Sequence, residues 1–161
     1  MKLKFLNSAN AEKIKNFFKN LIGKSTKVNL YVGVPSDRSA RSKRGGKEPI
    51  NNASLAYINE YGAPASRIPP RPFLIPGVND NSKKAAKIIE MYLKRHDPIE
   101  NAYAAAGMIL VSGIKKKITS GLEPPLSPVT LSERKRKGFK GTKPLIETGQ
   151  LVNSINYFVK K

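Results

Sequence analysis

Residues 97–121 read D-P-I-E-N-A-Y-A-A-A-G-M-I-L-V-S-G-I-K-K-K-I-T-S-G, and this stretch decides the architecture. Asp97, Pro98 and Glu100 spell a helix start. Asp97 offers an acceptor at the cap, Pro98 fits the first turn, and Glu100 follows at the capping-box spacing. The helix is expected to run to about Ser120, with Gly121 as its stop. Its apolar positions include Ala102, Ala105, Ile109, Leu110, Ile114 and Ile118. Ala and Gly crowd its first half, so neighbouring elements can approach closely. This is the expected central helix, and burying its larger side chains contributes about 1.5–3 kcal/mol each.

Upstream, a second amphipathic helix is expected from about Asn79 to Arg95, with Ala85, Ile88, Ile89 and Tyr92 on one face. Before it lies A-P-A-S-R-I-P-P-R-P-F-L-I-P (63–76). Its prolines, Pro64, Pro69, Pro70, Pro72 and Pro76, argue against a regular helix or central strand. The stretch reads as a stiff extended connector anchored by Ile68, Phe73 and Leu74. Residues 52–61 suggest a short helix closed by Gly62. Residues 27–34 alternate, Val28, Leu30, Val32 and Val34 against Asn29, Tyr31 and Gly33, the mark of a half-buried strand ended by Pro35. Residues 10–22 place Ile14, Phe17, Phe18, Leu21 and Ile22 on one helical face, with Ser8 or Asn10 as cap and Gly23 as stop.

Downstream, E-P-P-L-S-P (123–128) is another rigid connector. Thr130 and Glu133 make a second capping-box pattern, opening a short basic helix that stops near Gly138. In P-L-I-E-T-G-Q-L-V-N-S-I-N-Y-F-V (144–159) a helical turn from Thr148 gives way to a strand in which Ile155, Tyr157 and Val159 alternate. That strand can pair with 27–34. The expected fold is a single α+β domain over residues 1–161. A small antiparallel sheet, with strands near 27–34 and 153–160, packs on the long central helix and the amphipathic helices. Basic loops lie at 36–50 and 132–143.

Charge is the largest anomaly. The 161 residues carry 30 Lys and Arg against 11 Asp and Glu, a formal net charge of +19. Such a surplus strains the compact state and calls for nucleic acid or anionic protein partners. It concentrates in two apolar-poor, glycine-containing stretches. One holds Arg38, Arg41, Lys43 and Arg44; the other holds Arg134, Lys135, Arg136 and Lys137. Both read as solvated loops able to follow a phosphate backbone or dock on an acidic protein surface.

With no Cys and one His, disulfide scaffolds, thiolate metal sites and His-rich metal centres are excluded. The longest apolar run, 102–111, is short of the roughly 18 residues of a membrane span, and the N-terminal apolar stretch is short for a secretory signal. The chain is expected to stay where it is made, unless it leaves within a larger object. No enzyme is expected, and no catalytic, cofactor-binding or metal-binding residue. His96 sits in a basic corner at a helix junction, without a G-x-S-x-G context. No P-loop, dinucleotide-binding or H-E-x-x-H motif is present. Helix-turn-helix, zinc-finger, RRM and KH signatures are missing too, so nucleic-acid contact would be sequence-neutral, through the basic loops.

The blocks L-A-Y-I-N-E-Y-G (55–62) and R-I-P-P-R-P-F-L (67–74) carry a resemblance. So do P-P-L-S-P-V-T-L (124–131), the basic stretch with Lys135 and Lys137, and P-L-I-E-T-G-Q-L-V-N-S-I-N-Y-F-V (144–159). With V-G-V (32–34) on a strand and a long helix between the blocks, the ordered set over about residues 27–159 resembles the neck or tail-completion proteins of long-tailed double-stranded DNA phages, also known as virion morphogenesis or minor tail proteins. The resemblance implies a non-catalytic α+β subunit of a virion ring, assembled in the host cytoplasm. It would join a head-completion or connector protein to the tail terminator or tube. The ring implied is a homo-oligomer, six copies from tail symmetry favoured over twelve from that of head connectors. Packaged DNA in the channel is a further partner that the basic residues would suit, and no membrane is involved. Arg67, Ile68, Pro69, Arg71, Pro72 and Phe73 are the expected partner contact, since stiff proline segments lose little entropy on docking.

Overall fold

A computed structural model of the chain describes residues 28–36 and 50–161. The helix expected over 10–22 and the loop bearing Arg38, Arg41, Lys43 and Arg44 lie outside the described residues. The elements are β1 (Asn29–Gly33), α1 (Asn52–Tyr61), a 3-10 turn (Pro64–Ser66), α2 (Leu74–Lys94), α3 (Ile99–Ser120), α4 (Pro128–Arg136), α5 (Gln150–Ser154) and β2 (Asn156–Lys160). The fold is α+β, as the sequence suggested: two antiparallel strands laid on a long helical hairpin.

α2 and α3 run antiparallel and form the frame. Gly77 meets Ile114 at one end, Ala85 packs with Ala106 and Leu110 midway, and Tyr92 and Leu93 meet Ile99 and Ala102 near the turn. The small residues set the approach: a Cβ on Gly77 would stand 2.7 Å from the Ile114 Cα. The same device seats the sheet on α3, where a Cβ on Gly107 would stand 2.6 Å from the Tyr157 ring.

β1 and β2 pair in the register Asn29↔Lys160 to Gly33↔Asn156. The pairs Leu30↔Val159 and Val32↔Tyr157 put the alternating apolar residues of both strands on one face. The main core gathers Ala56, Phe73, Ile114, Ile118, Leu122, Leu151 and Ile155 from α1, α3, α5 and the connectors. Phe73, Ile114, Ile118 and Ile155 are fully buried.

Three helix starts differ from the sequence reading. α2 begins at Leu74 rather than Asn79, with Pro76 inside its first turn. A first-turn N–H has no intrahelical acceptor, so the proline is accommodated there. Asp97 does not cap α3. Its backbone N–H closes the end of α2 on Tyr92 O at 3.1 Å, and Pro98 takes the cap position without a side-chain cap bond. α4 opens three residues earlier than Thr130 would place it. Ser127 is its cap, Pro128 its first residue, and Thr130 N donates to Ser127 Oγ at 3.2 Å. The final strand also starts later than residue 153, because Gln150–Ser154 completes α5.

Candidate interaction surfaces

The Y-G and R-P-F-L blocks are joined by a buried carboxylate. Glu60, on α1, accepts the Phe73 and Leu74 N–H groups on Oε2 at 2.8 and 2.9 Å and the Ile75 N–H on Oε1 at 2.9 Å. These are orphan donors of the α2 N-terminus, where negative charge is also favoured by the helix dipole. Beside it, Arg71 N donates to Asn59 O at 2.6 Å.

The Arg71 side chain ties the two proline connectors together. Its Nε donates to Pro124 O at 2.6 Å and its Nη2 to Pro125 O at 2.9 Å. Arg71 and Phe73, expected at a partner contact, are therefore spent inside the chain. Phe73 has no exposed surface and Arg71 is buried, because the chain at 71–74 turns inward to be capped by Glu60. Of that set, Arg67, Pro69 and Pro72 are exposed and Ile68 is half-buried. In the T-G-Q-L block Leu151 is buried in the same core as Phe73 and Leu122, and Gly149 adopts a left-handed φ of 72° ahead of α5.

Arg134 also departs from expectation. Its charge groups it with the exposed basic residues, yet it is buried. Its Nη1 donates to Gly141 O and Lys143 O at 3.2 and 2.9 Å, and its Nε faces Glu147 Oε2 at 3.7 Å. Lys143 in turn donates to Thr119 O at 2.6 Å, at the C-terminus of α3. The stretch 138–144 is thus folded back and fastened rather than a free arm. Lys135, Arg136 and Lys137 are exposed, as the charge pattern implied.

The described residues hold 18 Lys and Arg against 8 Asp and Glu. Their ion pairs on the surface are Lys94–Glu90, Lys117–Asp80 and Lys161–Glu100. Lys94 holds the Glu90 carboxyl below its usual range through a hydrogen bond and its charge. No group of three or more His, Asp or Glu stands close enough among the described residues to hold a metal.

Sequence reasoning missed a surface of the opposite character. α1 turns its polar residues Asn52, Asn59 and Glu60 inward and its aromatics outward. Tyr57 and Tyr61 are 66% and 59% exposed, with ring centroids 4.9 Å apart. The signal in the sequence was slight, two tyrosines spaced i and i+4 on a short helix. A second feature is an open groove of about 420 Å3, with a lining part apolar and part polar, between α3 and the α5–β2 junction. Met108, Val111, Ser112, Lys115, Ile155 and Tyr157 are among its lining residues, and Met108 is 57% exposed. The chain matches no family model, no curated protein and no solved structure.

Proposed function

We propose that this protein is a structural subunit of a phage neck, a ring component that completes the tail and joins it to the head. The observation that carries the reading is the meeting of the resembling blocks. Arg71 of R-P-F-L grips the carbonyls of Pro124 and Pro125, while Phe73 and Leu151 share one core. Motifs scattered over the chain thereby behave as parts of one fold. A surface with a large cation excess and an exposed tyrosine pair fits a part that grips other macromolecules by charge and shape. The test is assembly. Tails formed without this protein should be incomplete or fail to join heads, and adding the purified chain should restore joining. Complete tails that join heads normally in its absence would refute the reading.

A second reading has its own support in the exposed run Lys135, Arg136 and Lys137: sequence-neutral binding of nucleic acid. Duplex affinity should then fall with salt, with a log–log slope of about −0.9 per phosphate neutralised. No measurable binding at about 50 mM salt, where such contacts are strongest, disposes of it. Partners recovered after nuclease treatment favour the neck reading over this one.

A further inference from the structure

A protein of net charge +19 repels its own copies. Copies can meet closely where that charge is missing. From Ile50 to Ser66 the one charged residue is Glu60, which is buried under the α2 N-terminus. From Asn101 to Ile114, and again from Gln150 to Val159, there is none. These stretches carry the Tyr57–Tyr61 pair on α1 and, apart from Lys115, the lining of the groove between α3 and β2.

The two features match chemically and share no residue. One is a projecting pair of rings, each with an apolar body and a polar tip. The other is a concave lining of mixed character, with Met108, Val111, Ile155 and Tyr157 beside the polar Ser112, Lys115, Asn153 and Asn156. A methionine adapts its shape to an aromatic ring and contacts it favourably through sulfur. Lys115, the charged residue of the lining, suits an aromatic face and opposes another cation. We propose that the Tyr57–Tyr61 pair of one copy seats in the α3–β2 groove of the next. A contact between two different patches on identical chains is head-to-tail, which closes a ring where the rotation between copies closes and otherwise continues as a filament. This rests on the ring reading above and names the surfaces that would build it.

The test uses the full chain, with sedimentation or native mass spectrometry over a concentration series and a melting curve for each variant. Two double variants serve, Tyr57→Ser with Tyr61→Ser, and Met108→Lys with Ser112→Lys; all four positions are exposed. The unaltered chain should associate beyond the monomer. Each double variant alone should lose at least tenfold in association and melt like the parent. An equal mixture of the two, which holds one intact pair of surfaces, should form a heterodimer and nothing larger. Variants that associate like the parent would overturn this contact while leaving a ring open. Monomeric variants that give no heterodimer on mixing would overturn it as well. A parent chain monomeric at every concentration would remove both this contact and the ring reading. Association through these surfaces by a chain that tails do not need would uphold the contact and remove the neck reading.

Discussion

Two buried charged residues show how single side chains hold this fold. Glu60 serves three backbone N–H groups at the start of α2. Replacing one oxygen with an amide sets a donor against a donor. Leaving a buried group unsatisfied costs about 1–3 kcal/mol. Glu60→Gln should therefore lower unfolding free energy by about 2 kcal/mol in a denaturant titration. Arg134 belongs to the same class despite its basic neighbours. Arg134→Ser should destabilise by about 1–3 kcal/mol, while Lys135→Ser, Arg136→Ser and Lys137→Ser should each stay within about 0.5 kcal/mol. The sequence shows four consecutive cations from 134 to 137 with no local mark of which one turns inward. That choice is made by the carbonyls of Gly141 and Lys143, which only the returning chain supplies. The same limit governs Phe73. Its apolar character was legible as an anchor, but whether it anchors a partner or its own core depends on Glu60, thirteen positions away in the chain. Phe73→Ala should cost about 3–5 kcal/mol of stability, as large core truncations do.

At the scale of elements, periodicity was informative and end signals less so. The alternation of 28–34 and 155–159 gave two strands whose inward residues pair as Leu30↔Val159 and Val32↔Tyr157. The central helix ended where Gly121 suggested. Helix starts were the less legible part: α2 takes Pro76 into its first turn, and α3 and α4 are capped at Pro98 and Ser127. At 97, the backbone is tied to the preceding helix through its N–H, and the cap position of α3 falls one residue later, on Pro98. At 127, a serine followed by proline serves the first turn before Thr130 can. The hairpin of α2 and α3 depends on small residues at the crossing rather than on large ones. Gly77→Ala should push a methyl into the Ile114 backbone and destabilise by about 1–3 kcal/mol, the usual cost of overpacking. The exposed position Ser82 on the same helix, changed to Ala, should leave the melting curve nearly unmoved. The outward aromatics of α1 were the least legible feature. A short helix that buries Asn and Glu while exposing Tyr inverts the usual rule, and the inversion follows from the service Glu60 gives to α2.

For the whole molecule, net charge sets how association responds to salt. The screening length is about 10 Å at 0.1 M and shortens as salt rises. Contact between copies through uncharged surfaces should therefore strengthen between about 50 and 300 mM salt, as repulsion is screened. Phosphate binding should weaken over the same range. One salt series, read by sedimentation with and without duplex DNA, separates the two modes by the sign of the change.

The Arg71 grip on Pro124 and Pro125 fastens the entrance of the α2–α3 pair to its exit. The chain between them is accordingly a closed handle, tied at its base and turning back at Arg95–Asp97. Cutting the backbone at that far bend should not release either half: the severed protein should migrate as one particle in a native gel and part into two bands in detergent.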